Sequence, residues 1–188
     1  MVHQKMMRFD PTAYGPEVAA ILALDDNGER LMPLAEGTCS SVEARQRLQT
    51  ASAATLFPKA KSPEAAFSGL WLYFSCRDEA HAIAQDVATR EGSYWHAIVH
   101  RQEPDAGNAG YWFGQVGTHP IFSGLRACAA DLAIDFGPKW NPFAFIELCE
   151  KARREPGSEL ERRAMTVQKI EWQLLFDFCA AVRNRQLR

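Results

Sequence analysis

Helix-starting and helix-stopping residues succeed one another along almost the whole chain, and no alternating run of β-branched residues extends beyond a few positions. That pattern argues against a sheet-based fold, because a half-buried strand needs apolar and polar residues in alternation. Ser62-Pro63-Glu64 supplies a capping hydroxyl, a proline at the first helical position and an acid in the first turn. The segment 65–74 behind it is apolar almost all round, which predicts a central, buried helix. Ser75 with Asp78 restarts a helix through His81, Ile83 and Val87, with Gly92 closing it. Residues 93–103 form the next helix, stopped by Pro104. Asp105 caps a helix reaching Val116 with Gly117 as its C-cap, Pro120 opens another towards Leu132, and Asn141-Pro142 opens one more. Ser158-x-x-Glu161 is a capping box ahead of a long last helix over 159–184, and Ser40-x-x-Glu43 is a second box. Asp26-Asn27-Gly28 is the one hairpin-like turn, but Pro33 spoils its second arm, so it reads as a helix end and loop.

These signals predict an all-α single domain over 1–188, a multi-helix array of antiparallel helical pairs with roughly seven or more helices. Residues 1–38 read as an irregular lead-in, 62–134 as the motif-bearing core and 141–188 as C-terminal helices. The expected core is centred on Phe67, Leu70, Trp71, Phe74, Trp95, Ile98, Trp112, Leu174 and Phe178.

Composition narrows the function classes. A net charge of −2 and a pI near 6.2 do not suit a nucleic-acid surface, so no binding to duplex DNA is expected. No apolar run reaches the length needed to span a bilayer, and no secretory h-region is read at the start. Cys39, Cys76, Cys128, Cys149 and Cys179 form an odd, scattered set without a CxxC pair. They are expected to be reduced thiols of a cytoplasmic protein.

Four of the five histidines lie between positions 81 and 119. On a helix, His96 and His100 share a face at i and i+4, and Glu103 continues it at i+7. Two imidazoles so spaced suit one divalent metal such as zinc, and a carboxylate or a third imidazole would add a ligand. On the preceding helix His81 and Gln85 form another polar i, i+4 pair, which a short antiparallel turn would bring onto the His96–His100 face. His119 arrives from a loop just before a helix start. The same imidazoles, with Arg101 and a carboxylate, also make an acid/base set without metal, or a buried hydrogen-bond network that locks helices together. Arg101 suits either an anionic ligand or a local ion pair, and Asp105 and Asn108 either a helix cap or ligand contacts. Trp112 lies among aromatics that fit core packing better than base stacking, because Lys and Arg are sparse there. There is no Walker loop, no GxGxxG and no GxSxG.

The stretch from Gly92 through Trp95, His96, His100-Arg101 and Glu103-Pro104-Asp105, then Asn108-Ala109, Tyr111-Trp112-Phe113, Val116-Gly117 and His119-Pro120, resembles a bacterial family found in planctomycetes and acidobacteria. Its pattern is HxIxHRREPDxxNAxYWFxxVGxHP. The likeness extends to Tyr14-Gly15-Pro16, Ser68-Gly69-Leu70, Asp78-Glu79-Ala80-His81 with Gln85, and Glu171-Trp172-Gln173-Leu174-Leu175-Phe176. The resemblance implies that Glu79, His81, Gln85, His96, His100, Arg101, Glu103, Asp105, Asn108 and His119 are the polar positions of interest, and it implies no particular activity. The chain departs from the pattern at Gln102, Gly110 and Gly114, where basic side chains are more usual.

Two functional expectations follow. One is a small-ligand-binding or enzymatic protein, hydrolytic through a metal-bound water, in which His81, His96 and His100 are ligands and Glu79 or Glu103 accepts the proton. Gln85, Asp105, Asn108, Trp112 and His119 would then line the ligand. The other is a helical interaction module in which the same His, Arg and Glu residues are a structural network.

Overall fold

The computed structural model describes residues 9–182. Among them ten α-helices are found and no strand, the nearest to one being an isolated bridge between Ala60 and Val182. The helices are α1 (Pro16–Leu22), α2 (Val42–Thr50), α3 (Ala53–Leu56), α4 (Pro63–Tyr73), α5 (Arg77–Asp86), α6 (Arg90–Gln102), α7 (Ala106–Val116), α8 (Phe122–Asp131), α9 (Pro142–Ala152) and α10 (Glu159–Ala180). The expected all-α single domain is what forms. Successive helices α4, α5, α6 and α7 pack each on the next, and α10 lies across α4, α8 and α9.

Local chemistry accounts for most helix starts. Asp105 Oδ1 accepts from the Asn108 amide at 3.0 Å to open α7, and Gly117 closes it at φ 63°. Asn141 accepts from the Phe143 and Ala144 amides ahead of Pro142 in α9. Ser158 Oγ accepts from Glu161 N at 3.1 Å, while Glu161 returns its carboxylate to the Gly157 amide rather than to Ser158. The last helix ends at Ala180; the expected extension to 182 is not helical, and 183–184 lie outside the described residues.

Several boundaries differ from the sequence reading. Ser41, not Ser40, caps α2, because the Ser40 hydroxyl is taken by Asp25. Pro63 begins α4, yet the Ser62 hydroxyl makes no capping bond. Gly92 does not end a helix. It lies in the first turn of α6, which Thr89 caps by accepting from the Gly92 amide at 3.2 Å. A Cβ there would sit 2.1 Å from the Val87 carbonyl oxygen, so glycine is what permits the tight turn between α5 and α6.

Cys39 and Cys76 are joined as a disulfide, which corrects the expectation of five reduced thiols and removes the premise of the cytoplasmic assignment. The Ser40 amide donates to the Phe74 carbonyl at 2.7 Å and lays this part of the lead-in beside the start of α5. Cys149 and Cys179 are buried free thiols. No described helix is long and apolar enough to cross a membrane.

Leu70, Trp71, Phe74, Trp95 and Ile98 are buried as expected, whereas Phe67, Trp112, Leu174 and Phe178 are only partly so. Trp172 completes the centre by donating its indole N–H to the Gly69 carbonyl at 2.7 Å. A charged network sits in the same interior. Arg101 Nη2 donates to Glu171, both side chains being closed to water, and Tyr94 donates to Glu171 Oε1 at 3.0 Å. Arg101 also reaches Gln168 Oε1, and Gln168 Nε2 donates to the Met32 and Pro33 carbonyls at 3.1 and 3.0 Å.

Two outcomes follow from this packing. Arg101→Met leaves Glu171 buried without its cation and is expected to lower the unfolding free energy by about 3–5 kcal/mol. Arg47→Gln, which opens an exposed pair with Glu43, is expected to change it by less than about 1 kcal/mol. Equal denaturation midpoints for the two variants would contradict an anchoring role for the buried pair. Gly69→Ala is expected to destabilise by about 1–3 kcal/mol, since its Cβ would lie 2.5 Å from the Trp95 ring. A wild-type melting temperature in that variant would refute the close contact.

Candidate metal centre

The turn between α5 and α6 covers only residues 87–89, so α5 folds back and sets His81 against the face carrying His96 and His100. One nitrogen from each of the three lies within 4.8 Å of the others. His96 Nε2 is 2.8 Å from His81 Nε2. The His96 and His100 rings stack with centroids 4.7 Å apart, and His81 stands edge-on to both. Trp112, from α7, stacks on His96 at 4.1 Å.

Carboxylates and a guanidinium hold this arrangement. His100 Nδ1 lies 2.8 Å from Glu103 Oε2, and the other Glu103 oxygen lies 3.3 Å from Arg77 Nε. Arg77 Nη1 is in turn 3.2 Å from Glu36. The Nδ1–Glu103 contact is an approach within ion-pair distance rather than a hydrogen bond, since His100 Nδ1 has no hydrogen-bond partner among the described residues. His96 Nδ1 is buried and has no hydrogen-bond partner among the described residues. Burial, reinforced by the neighbouring His81 and His100, lowers the His96 pKa to about 4. His96 is therefore a neutral imidazole at ordinary pH, the form in which histidine binds a metal.

The structure brings together His81, His96, His100, Glu103 and Trp112, and places the other expected site residues elsewhere. Glu79 is engaged by Arg45, with Oε1 2.7 and 2.9 Å from two guanidinium nitrogens, so it does not stand by the histidines as a proton acceptor. Arg101 follows His100 by about 100° of helix rotation and enters the core to meet Glu171, which corrects both its ligand role and the expected local pairing. Asp105 is the cap of α7, and Asn108 spends its amide N–H and its Nδ2 on it, the latter at 2.7 Å. These bonds hold the Asp105 pKa below the ordinary carboxylate range. Gln85 is exposed on α5. His119 is buried among Tyr94, Phe122 and Phe178 rather than with the other three imidazoles.

Arg77 and Glu36 were missed by the sequence reading. Arg77 carries a legible signal, since it precedes His81 by four residues and so shares its face of α5. Glu36 lies in the irregular lead-in, where no periodicity marks it.

Comparison with protein-family models, with curated proteins and with solved structures gives no match. The geometry is thus the ground for any functional reading.

His119 gives a pH prediction independent of the cluster. Burial, partly opposed by Glu91, lowers its pKa to about 4 from 6.5. Between those values the unfolded chain takes up the proton and the native chain does not. Stability is therefore full above pH 6.5 and falls as pH drops towards 4, by at most about 3 kcal/mol from this group. Urea denaturation from pH 7.5 to 4.5 is expected to show a steeper loss in the wild type than in His119→Phe. Parallel curves would show that His119 does not set the dependence.

Proposed function

We propose that His81, His96 and His100 bind one divalent transition metal, with zinc the best fit, and that the protein uses it to bind a small ligand or to hydrolyse one. The observation that carries this reading is the meeting of three imidazole nitrogens within 4.8 Å of one another, with a Glu103 oxygen 2.8 Å from His100 Nδ1. Tetrahedral zinc at 2.0–2.1 Å from nitrogen needs ligand atoms about 3.3 Å apart. The His81–His96 separation of 2.8 Å is within a small ring movement of that value.

Three neutral imidazoles leave the ion its full charge and one position for water. Zinc held by these three residues would supply a Lewis acid that activates a water near neutrality, with no call for a strong base. That matters here because both candidate bases are committed, Glu79 to Arg45 and Glu103 to His100 and Arg77. The role left for Glu103 is to steady His100 from beside its Nδ1.

A second reading rests on the same 2.8 Å contact taken as a hydrogen bond, one imidazole donating to the other and tying α5 to α6. In that case the cluster is structural and the protein acts as a helical interaction module.

Metal analysis of the purified protein, with cobalt substitution followed by absorption spectroscopy, separates the two. The metal reading expects one ion per chain, loss of that ion in His96→Ala with the helical circular dichroism retained, and about 10–100-fold weaker binding in Glu103→Gln. If no divalent metal binds and His96→Ala unfolds the protein, the cluster is the interhelical lock.

A further inference from the structure

Away from the histidine cluster, the loop after α7, the start of α8, the 132–141 connection and the start of α9 border an open cavity of about 890 Å³. The rings of Phe122, Phe136, Trp140 and Phe143 line it together with the His119 imidazole. The charged side chains in its wall are Arg126 and Lys139, with no carboxylate among the lining residues. Arg126 uses Nε to hold the Pro138 carbonyl at 3.2 Å and makes no ion pair among the described residues. Lys139 is exposed and likewise unpaired. Trp140 is 5% exposed, and its indole N–H is buried without an acceptor among the described residues. A buried donor without an acceptor is uncommon in native proteins, and a shift of the ring that opened it would offer a ligand a hydrogen bond. Phe143, by contrast, is 48% exposed.

A second cavity, of about 590 Å³, differs in each respect. Two of its carboxylates already have partners, Asp177 with the Tyr14 hydroxyl and Glu29 with Lys169 and Gln173. It offers no surplus of positive charge.

We infer that the larger cavity binds a small planar aromatic anion, an aryl carboxylate or its like, with its ring among Phe122, Phe136, Trp140 and Phe143 and its charge towards Arg126 and Lys139. A cavity of this size suits a ligand of one or two fused rings, and apolar walls with a few polar groups are the usual make-up of such sites. Stacking on aromatic walls selects flat ligands, and unpaired cations without nearby acids select negative charge. The site is separate from the histidine cluster, so it stands whether or not a metal binds there.

Isothermal titration of the whole protein with 2-naphthoate tests it, with 2-naphthylmethylamine and cyclohexanecarboxylate as the cationic and the non-aromatic comparison. Naphthoate is expected to bind one-to-one and at least tenfold more tightly than either comparison. Lys139→Glu, a change at an exposed side chain, is expected to weaken naphthoate about tenfold, and so is Trp140→Phe, which keeps a ring and removes the donor. Lys169→Gln, in the smaller cavity, is expected to leave affinity unchanged. The inference is overturned by absence of saturable binding at millimolar naphthoate, by equal affinity for the naphthyl amine, or by unchanged affinity in Lys139→Glu.

Discussion

The interior of this protein is organised around one ion pair out of reach of water. Arg101 on α6 and Glu171 on α10 are both fully buried. Removing two such charges from water is unfavourable by several kcal/mol per ion unless each is met by a partner and by further hydrogen bonds. Tyr94 supplies one to Glu171 and Gln168 one to Arg101 Nη2, while Arg101 Nε and Nη1 stay buried without a hydrogen-bond partner among the described residues and the guanidinium lies 4.4 Å over the Phe145 ring from α9. Gln168 carries the network on to the Met32 and Pro33 carbonyls, and Arg153 joins the Leu34 and Arg101 carbonyls at 2.7 and 3.0 Å. The non-helical stretch 32–34, which follows α1 in the lead-in, is thus fixed by polar bonds to the core. Burial alone could not specify its position so closely, since hydrophobic contact has no direction.

The same pair sets the rotation of α6 about its axis. His100 and Arg101 are adjacent, so their side chains leave the helix about 100° apart. With Arg101 held by Glu171, the face bearing His96 and His100 is turned to α5, where His81 stands. The contact between His100 and Glu103, and that between Glu103 and Arg77, are made on this face. The histidine cluster is positioned from its far side by the core network, and from its near side by the short turn that Gly92 allows.

How much of this was legible depended on sequence distance. Caps at Asp105, Asn141 and Ser158 act within three residues, and all three form, although the box expected at Ser158 does not close because Glu161 turns to the Gly157 amide. The meeting of His81 with His96 and His100 was legible too, because it needs only helical spacing and a tight connection. The Arg101–Glu171 pair spans 70 positions and the disulfide 37, and nothing in local periodicity links such residues. Ser40 and Ser41 show the limit even for caps. Both carry a hydroxyl in the right place, and the choice between them was made by Asp25, which took the first.

The motif-bearing stretch serves several ends at once. Within 92–120, Gly92 lets the turn close, His96 and His100 complete the cluster, Arg101 anchors the core, and Asp105 with Asn108 starts α7. Trp112 then returns from α7 to stack on His96, and Gly117 to His119 form part of the wall of the aromatic cavity. A single continuous segment therefore touches both the metal-type cluster and the cavity, through a helix pinned to the interior. His96 and His119, buried at its two ends, are both kept neutral by loss of solvent. Only His96 has other imidazoles beside it. Identical chemistry in one motif is thus turned to two uses by what α5 and α8 bring to each ring.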